Sequence, residues 1–219
     1  MRRWLYILFA LLIAVEIVAA EKKDTIYTGT TIKFDLGSAA FHPIKNIRDN
    51  AKTYSYEVAA SVGLLRKYFP TIEAGYAQSK IGSTMGDFVD YGGFVKIGAD
   101  YSALRKRKGD HHFFVGLRIA TAMQSYRFNY LKRANNYWLN EDSRIAYPWR
   151  FGSDFWGELN AGVQVQVWKN LNMGWYVRFK LLFTRGKQLD GIMRAAYIPG
   201  YGTRQETAFG WNYYIGWTF

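Results

Sequence analysis

From residue 21 onward the chain alternates apolar and polar residues with a period of two, and it holds no apolar run long enough for a membrane helix. Successive side chains of a β-strand point to opposite faces, so this alternation describes strands with one apolar and one polar face. Eight segments follow it: Thr30 to Ala40, Thr53 to Leu64, Thr71 to Gln78, Tyr91 to Tyr101, Phe113 to Met123, Phe155 to Trp168, Trp175 to Phe183 and Phe209 to Phe219. In the sixth, Leu159, Ala161, Val163, Val165 and Val167 alternate with Glu158, Asn160, Gly162, Gln164 and Gln166. Each segment is close to the roughly 9–11 residues that a tilted strand needs to cross a bilayer.

A soluble sandwich would alternate in the same way, so the choice of architecture rests on other features. The apolar faces carry Trp, Tyr and Phe near segment ends, where side chains with a polar tip on an apolar body suit a lipid–water boundary. Aromatics reach 18% of the chain, yet the mean hydropathy is only -0.20. The polar faces carry glycine and charge, as a narrow lumen filled by side chains requires. The connections alternate as well. Arg66–Pro70 and Lys169–Asn172 are short and Ser102–His111 is moderate, whereas 41–52, 79–90, 124–153 and 184–205 are long. Short turns on one side and long loops on the other are the habit of outer-membrane barrels. The expected fold is therefore all-β, an antiparallel transmembrane β-barrel of about eight strands. Its lumen is expected to hold a mutually neutralised network of Lys33, Asp35, Glu57, Glu73, Lys96, Asp100, Arg118, Glu158, Arg178 and Lys180, because buried charges are tolerated when paired.

The first twenty residues read as a cleaved signal peptide. Arg2 and Arg3 form the positive region, Trp4 to Ala14 the apolar region, and Val18-Ala19-Ala20 the small residues before cleavage between Ala20 and Glu21. Glu16 interrupts the apolar stretch, which is short for a spanning anchor. Residues 1–20 are thus the expected signal and residues 21–219 the barrel, located in the outer membrane of a Gram-negative bacterium.

The last segment places Phe209, Trp211, Tyr213, Ile215, Trp217 and Phe219 at every second position. Trp211, Tyr213, Ile215, Trp217 and Phe219 resemble the C-terminal signal that the barrel assembly machinery reads. Phe155-Trp156-Gly157-Glu158-Leu159, Trp168-Lys169-Asn170, Met173-Gly174-Trp175, Tyr197-Ile198-Pro199-Gly200-Tyr201-Gly202 and Phe209-Gly210-Trp211-Asn212-Tyr213-Tyr214 resemble a family of uncharacterised outer-membrane barrels from Bacteroidota. That resemblance, over roughly the C-terminal third, implies fold and location and supplies no activity.

Few residues are suited to chemistry. The chain has no Cys and three His, which removes disulfides and thiolate metal sites. His42, near Ser38 and Asp35, is the one histidine expected in an outer loop, and Pro43 after it suits a polar turn residue better than a base. His111 and His112 are expected on the opposite, periplasmic turn. Gly82-Ser83-Thr84-Met85-Gly86 lacks the lysine and helix of a phosphate loop, and no metal or cofactor is expected. The basic run Arg105-Lys106-Arg107-Lys108 reads as a solvated turn rather than a nucleic-acid site. The net charge of +12 suits nucleic acid, anionic lipid or phosphorylated glycolipid, and composition alone does not choose among them. Arg127, Lys132, Arg133, Trp138, Arg144, Trp149 and Arg150 form the expected binding surface in the third outer loop. Cations interleaved with aromatics suit lipopolysaccharide phosphates or an envelope protein. The sequence thus favours a non-enzymatic envelope scaffold or surface binder. A lipid A-modifying enzyme is the alternative, and a narrow channel the third reading.

N-terminal sequencing of the protein from bacterial membranes is expected to begin at Glu21. Intact Met1 in the inner membrane would refute the signal-peptide reading.

Overall fold

The computed structural model describes residues 30–35, 51–64, 67–83, 86–103, 111–132, 143–184 and 197–219. The elements are β1 (Thr30–Asp35), β2 (Ala51–Val62), β3 (Tyr68–Ser83), β4 (Gly86–Ser102), β5 (His112–Lys132), β6 (Ser143–Ala146), β7 (Arg150–Gln166), β8 (Leu171–Leu182), β9 (Tyr197–Ile198), β10 (Gly202–Thr203) and β11 (Thr207–Thr218). β1, β2, β3, β4, β5, β7, β8 and β11 each pair antiparallel with the next. β11 then returns to β1 from Thr31↔Thr218 to Asp35↔Tyr214, so the sheet closes into an eight-stranded up-and-down barrel. Phe219 N donates to Thr30 O at 3.0 Å, and the Thr31 and Thr218 hydroxyls meet at 3.1 Å across the closure. Strand directions put the connections after β2, β4 and β7 at one end, here the lower, and the others at the upper end.

The wall is apolar outside and polar inside, the reverse of a water-soluble domain. Ile97, Leu117 and Ile119 are 61%, 66% and 60% exposed, while Lys96 and Arg118 beside them in sequence are buried. A continuous apolar band of this kind far exceeds what a soluble monomer exposes, and it is compatible with an outer-membrane barrel. Among the described residues no helix is long and apolar enough to cross a membrane. Tyr68, Tyr101, Phe113, Trp168 and Trp217 edge the band below, and Tyr54, Tyr91, Phe151 and Phe209 edge it above. From Tyr101 to Tyr91 along β4 is about the ten residues of a tilted crossing.

The structure corrects three of the expected outer loops. Residues 79–90 are not a long loop: β3 and β4 stay paired up to Ser83↔Gly86, with Gly82 and Ser83 in strand. Likewise β5 continues to Lys132, β6 pairs with it there, and β7 already begins at Arg150, so much of 124–153 is sheet. These extensions carry too many polar residues on the outer face for membrane alternation, which is why the sequence read them as loop. The long segment 184–205 contains the third difference. Its β9–β10 hairpin turns inward and buries Tyr197, Ile198 and Tyr201 against Phe88, Phe94 and Trp156 inside the barrel. The expected turn at Arg66–Pro70 is also shorter, since β3 starts at Tyr68.

Two sequence choices make room for this filling. Lumen glycines stand directly opposite bulky inward residues in the register, as in Gly98↔Arg118, Gly162↔Tyr176, Gly174↔Tyr214 and Gly75↔Phe94. A Cβ at any of these would collide with the partner side chain or its backbone, so the bulky residue lies across the glycine. At the hairpin tip Tyr201 N donates to Ile198 O at 3.1 Å, with Pro199 and Gly200 between them. Gly200 has φ of +74°, and Pro followed by Gly is the residue choice of a type II turn. A Cβ at Gly200 would also lie 2.6 Å from the Phe94 ring.

Gly200→Val is therefore expected to push the hairpin out of the lumen while leaving the barrel folded, at a cost of about 1–3 kcal/mol. Trypsin cleavage after Arg204 should accelerate with the strand circular dichroism unchanged. Equal cleavage rates in variant and parent would show that the tip tolerates the side chain.

Candidate functional site

The lumen is layered, and the layers follow from the inward residue at each register level. At the lower end Phe69, Phe114, Tyr176 and Tyr214 form an aromatic floor. Phe69 and Phe114 meet edge to face at 5.0 Å, and Tyr176 stacks on Tyr214 at 5.2 Å. His112 belongs to this floor. It is the first residue of β5 rather than a turn residue, buried, stacked on Phe114 at 4.9 Å and 3.1 Å from the Ser102 hydroxyl. His111 precedes the strand, where its Nδ1 accepts from Gln166 N at 3.3 Å. His42 lies outside the described residues.

Above the floor lies the ionic layer. Lys96 Nζ stands 2.8 Å from Glu57 and 3.6 Å from both Glu73 and Glu158. Arg178 Nη1 reaches Glu57 at 2.9 Å, Glu73 at 3.0 Å and Glu158 at 3.5 Å. Arg118 bridges downward, with Nε donating to Glu73 at 3.1 Å and Nη2 to Asp100 at 2.7 Å. Lys180 stands 4.0 Å from Glu158 and donates to the carbonyls of Gly200 and Tyr201 at 2.7 and 3.1 Å, tying the hairpin to the layer. Four acids, Glu57, Glu73, Asp100 and Glu158, thus face four bases, Lys96, Arg118, Arg178 and Lys180, all buried. The expected partners Lys33 and Asp35 hold β1 positions opposite Ala59 and Glu57, with side chains outside the description. Packed between aromatic layers, these pairs have little solvent to screen them.

The hairpin caps the stack. Trp156 meets Tyr201 edge to face at 5.7 Å and donates from Nε1 to Glu158 at 2.8 Å. Arg204, just past β10, donates to Asp154 at 2.5 Å, and Gln124 Nε2 donates to the same oxygen at 3.1 Å. Burial first, then the Asp90 carboxylate, holds the Tyr197 phenol above its ordinary range. Sequence reasoning missed Asp90, Gln124 and Asp154, because all three fell near or inside segments read as loop.

The outer rim forms a second candidate surface. Arg127 lies over the Trp149 ring at 5.0 Å, and Tyr91 meets that ring edge to face at 5.2 Å. Lys52↔Lys80, Lys80↔Val89 and Val89↔Arg127 are successive register partners, so Lys52, Lys80 and Arg127 share one level on the outer face. That level lies one step above Tyr54, Gln78 and Tyr91, while Asp87 stands one step higher again. Arg150 is half-buried at a lumen-side position opposite Tyr126. Arg144 and Lys132 hold backbone positions where β6 meets β5, with side chains outside the description, and Arg133 and Trp138 lie outside the described residues. Lys52 and Lys80 were missed, and only the cross-strand register could have found them. Trp211, Tyr213, Ile215 and Trp217 all face outward from β11, and Phe219 follows it, exposed. Ala20 and Glu21 lie outside the described residues.

Among the described residues no three His, Cys, Asp or Glu side chains converge as metal ligands. The sequence model of one family, Domain of unknown function (DUF6048), matches residues 2–219, and the chain belongs to that family. A search of curated proteins finds no match.

Glu158→Gln should destabilise the barrel rather than open it, since it strips one partner from Lys96, Arg178 and Lys180 together. Leaving buried charge uncompensated costs roughly 3–5 kcal/mol. Urea unfolding in detergent reads the loss directly. A midpoint within error of the parent would mean that water screens the layer.

Proposed function

We propose that this chain is a non-enzymatic outer-membrane protein that binds phosphorylated glycolipid, or an envelope protein, at its upper rim. The observation that carries the reading is the row of Lys52, Lys80 and Arg127 on the outer face, one level above the aromatic edge of the apolar band. Like charges directly opposite each other, as in Lys52↔Lys80, repel unless an anion lies between them. If the apolar band sits in lipid, that level is where headgroup phosphates lie. The Arg127–Trp149–Tyr91 stack adds a flat, amphipathic surface of the kind that packs against sugar rings. A filled lumen argues against the channel, because the side chains and the hairpin occupy the space that an eight-stranded interior offers. Outward Trp211, Tyr213, Ile215, Trp217 and Phe219 suit recognition by the barrel assembly machinery, and the resemblance to barrels of Bacteroidota agrees with such a location.

The triple variant Lys52→Gln, Lys80→Gln and Arg127→Gln should lose affinity for bisphosphorylated lipid A while folding normally. Each basic residue near an anionic surface contributes about 1 kcal/mol, so at low salt the loss for all three is somewhat over a hundredfold. Binding is measured by native mass spectrometry of the detergent-solubilised protein, with dephosphorylated lipid A as the control. Equal affinity for both lipids, or no loss in the variant, would overturn the rim reading. Altered lipid A acylation in a deletion strain would move the enzyme reading to first place.

A further inference from the structure

The ionic layer is balanced, but the acidic group above it is not. Asp90 projects from β4 into the upper lumen at 0% exposure, and neither carboxylate oxygen has a hydrogen-bond partner. Its neighbours in the register are otherwise engaged. The Ser79 hydroxyl meets Thr53 at 3.1 Å, and Tyr126 packs on Phe88 at 6.3 Å. Among the described residues, the charges that reach Asp90 are Asp154, of the same sign, and Arg204, which donates to Asp154. Among the described groups, two carboxylates thus face one guanidinium. On the diagonal from Asp90, Gln124 gives its Nε2 to Asp154, while its Oε1 is buried with no partner. Three orphaned acceptor oxygens thus lie on neighbouring inward positions of β4 and β5. Buried acceptors without donors call for a ligand, because leaving them unpaired is costly.

We propose that this cluster holds a hard metal cation, calcium or magnesium, bound by the Asp90 carboxylate and the Gln124 amide oxygen, with Asp154 as the third oxygen donor. The donor set decides the class: every available atom is an oxygen, which suits alkaline-earth ions and not the transition metals that prefer imidazole or thiolate. With two carboxylates the site is a modest binder whose remaining positions take water or a hydroxyl. Arg204 competes with the ion for Asp154, so the ion and the Arg204 clamp on the hairpin exit are coupled. The site does not depend on the rim reading, since it faces the lumen and not the outer wall.

The test uses the full mature chain in detergent, stripped with chelator and titrated with calcium or magnesium chloride by calorimetry and thermal unfolding. One binding event per chain is expected. A hundredfold excess over Kd should raise the melting temperature by about 5–10 °C. Asp90→Asn and Gln124→Leu should each weaken binding at least tenfold. Arg204→Gln should tighten it several-fold, which a purely structural arginine would not do. Two results would overturn the proposal: an absent response, or an equal response in parent and Asp90→Asn. If the parent is ion-insensitive and ion-free Asp90→Asn melts at the same temperature, Asp90 is neutral and carries a proton in place of a metal, which also overturns the proposal.

Discussion

Closure of the sheet is the constraint on which everything else in this molecule rests. An open sheet edge leaves a row of backbone N–H and C=O groups without partners, and closure lets each find its partner in the next strand. β1 is short, yet its pairing with β11 from Thr31↔Thr218 to Asp35↔Tyr214 removes the last free edge. Closing on eight strands then fixes the bore at about the width that side chains fill. The inward residues are therefore a packing problem of fixed volume, with polar groups where a soluble protein would place its apolar core.

The solution found here alternates sizes across strands and chemistry along the axis. Glycine faces Arg118, Tyr176, Tyr214 and Phe94, so each large side chain lies over a flat stretch of neighbouring backbone. Along the axis, aromatic floor, ionic layer and aromatic cap succeed one another. The aromatic layers keep the ions dry, which strengthens their attraction and makes any unpaired charge costly. Four acids against four bases meet that demand. The hairpin is part of the same packing, since Lys180 binds its carbonyls and Trp156 joins Tyr201 to Glu158. It fills the upper bore that lumen side chains such as Ala77, Ala120 and Ala122 are too small to fill.

Much of this was legible in the residues. The eight strand segments, the inward set Glu57, Glu73, Lys96, Asp100, Arg118, Glu158, Arg178 and Lys180, and the outward aromatics of β11 all follow from a period of two. Strand length above the apolar band was not legible. There Lys52, Gln78 and Lys80 face outward, and a pattern that expects apolar residues on the outer face reads them as loop. The hairpin escaped for a different reason. Tyr197-Ile198-Pro199-Gly200-Tyr201 reads as a turn with aromatics, and nothing local says that the turn points into the barrel.

Alternation by itself determined that the chain forms strands and which face each residue of the eight segments takes, because side-chain direction in a strand is a local property with a period of two. Which inward residues meet was decided only by the tertiary structure. Lys96 finds Glu57 from 39 positions away and Arg178 finds Glu73 from 105, through a register and a closure that no single strand encodes. The same holds for the row of Lys52, Lys80 and Arg127 and for the orphaned Asp90 beside Gln124. Proximity across a barrel depends on strand stagger, and stagger is set by all eight pairings together.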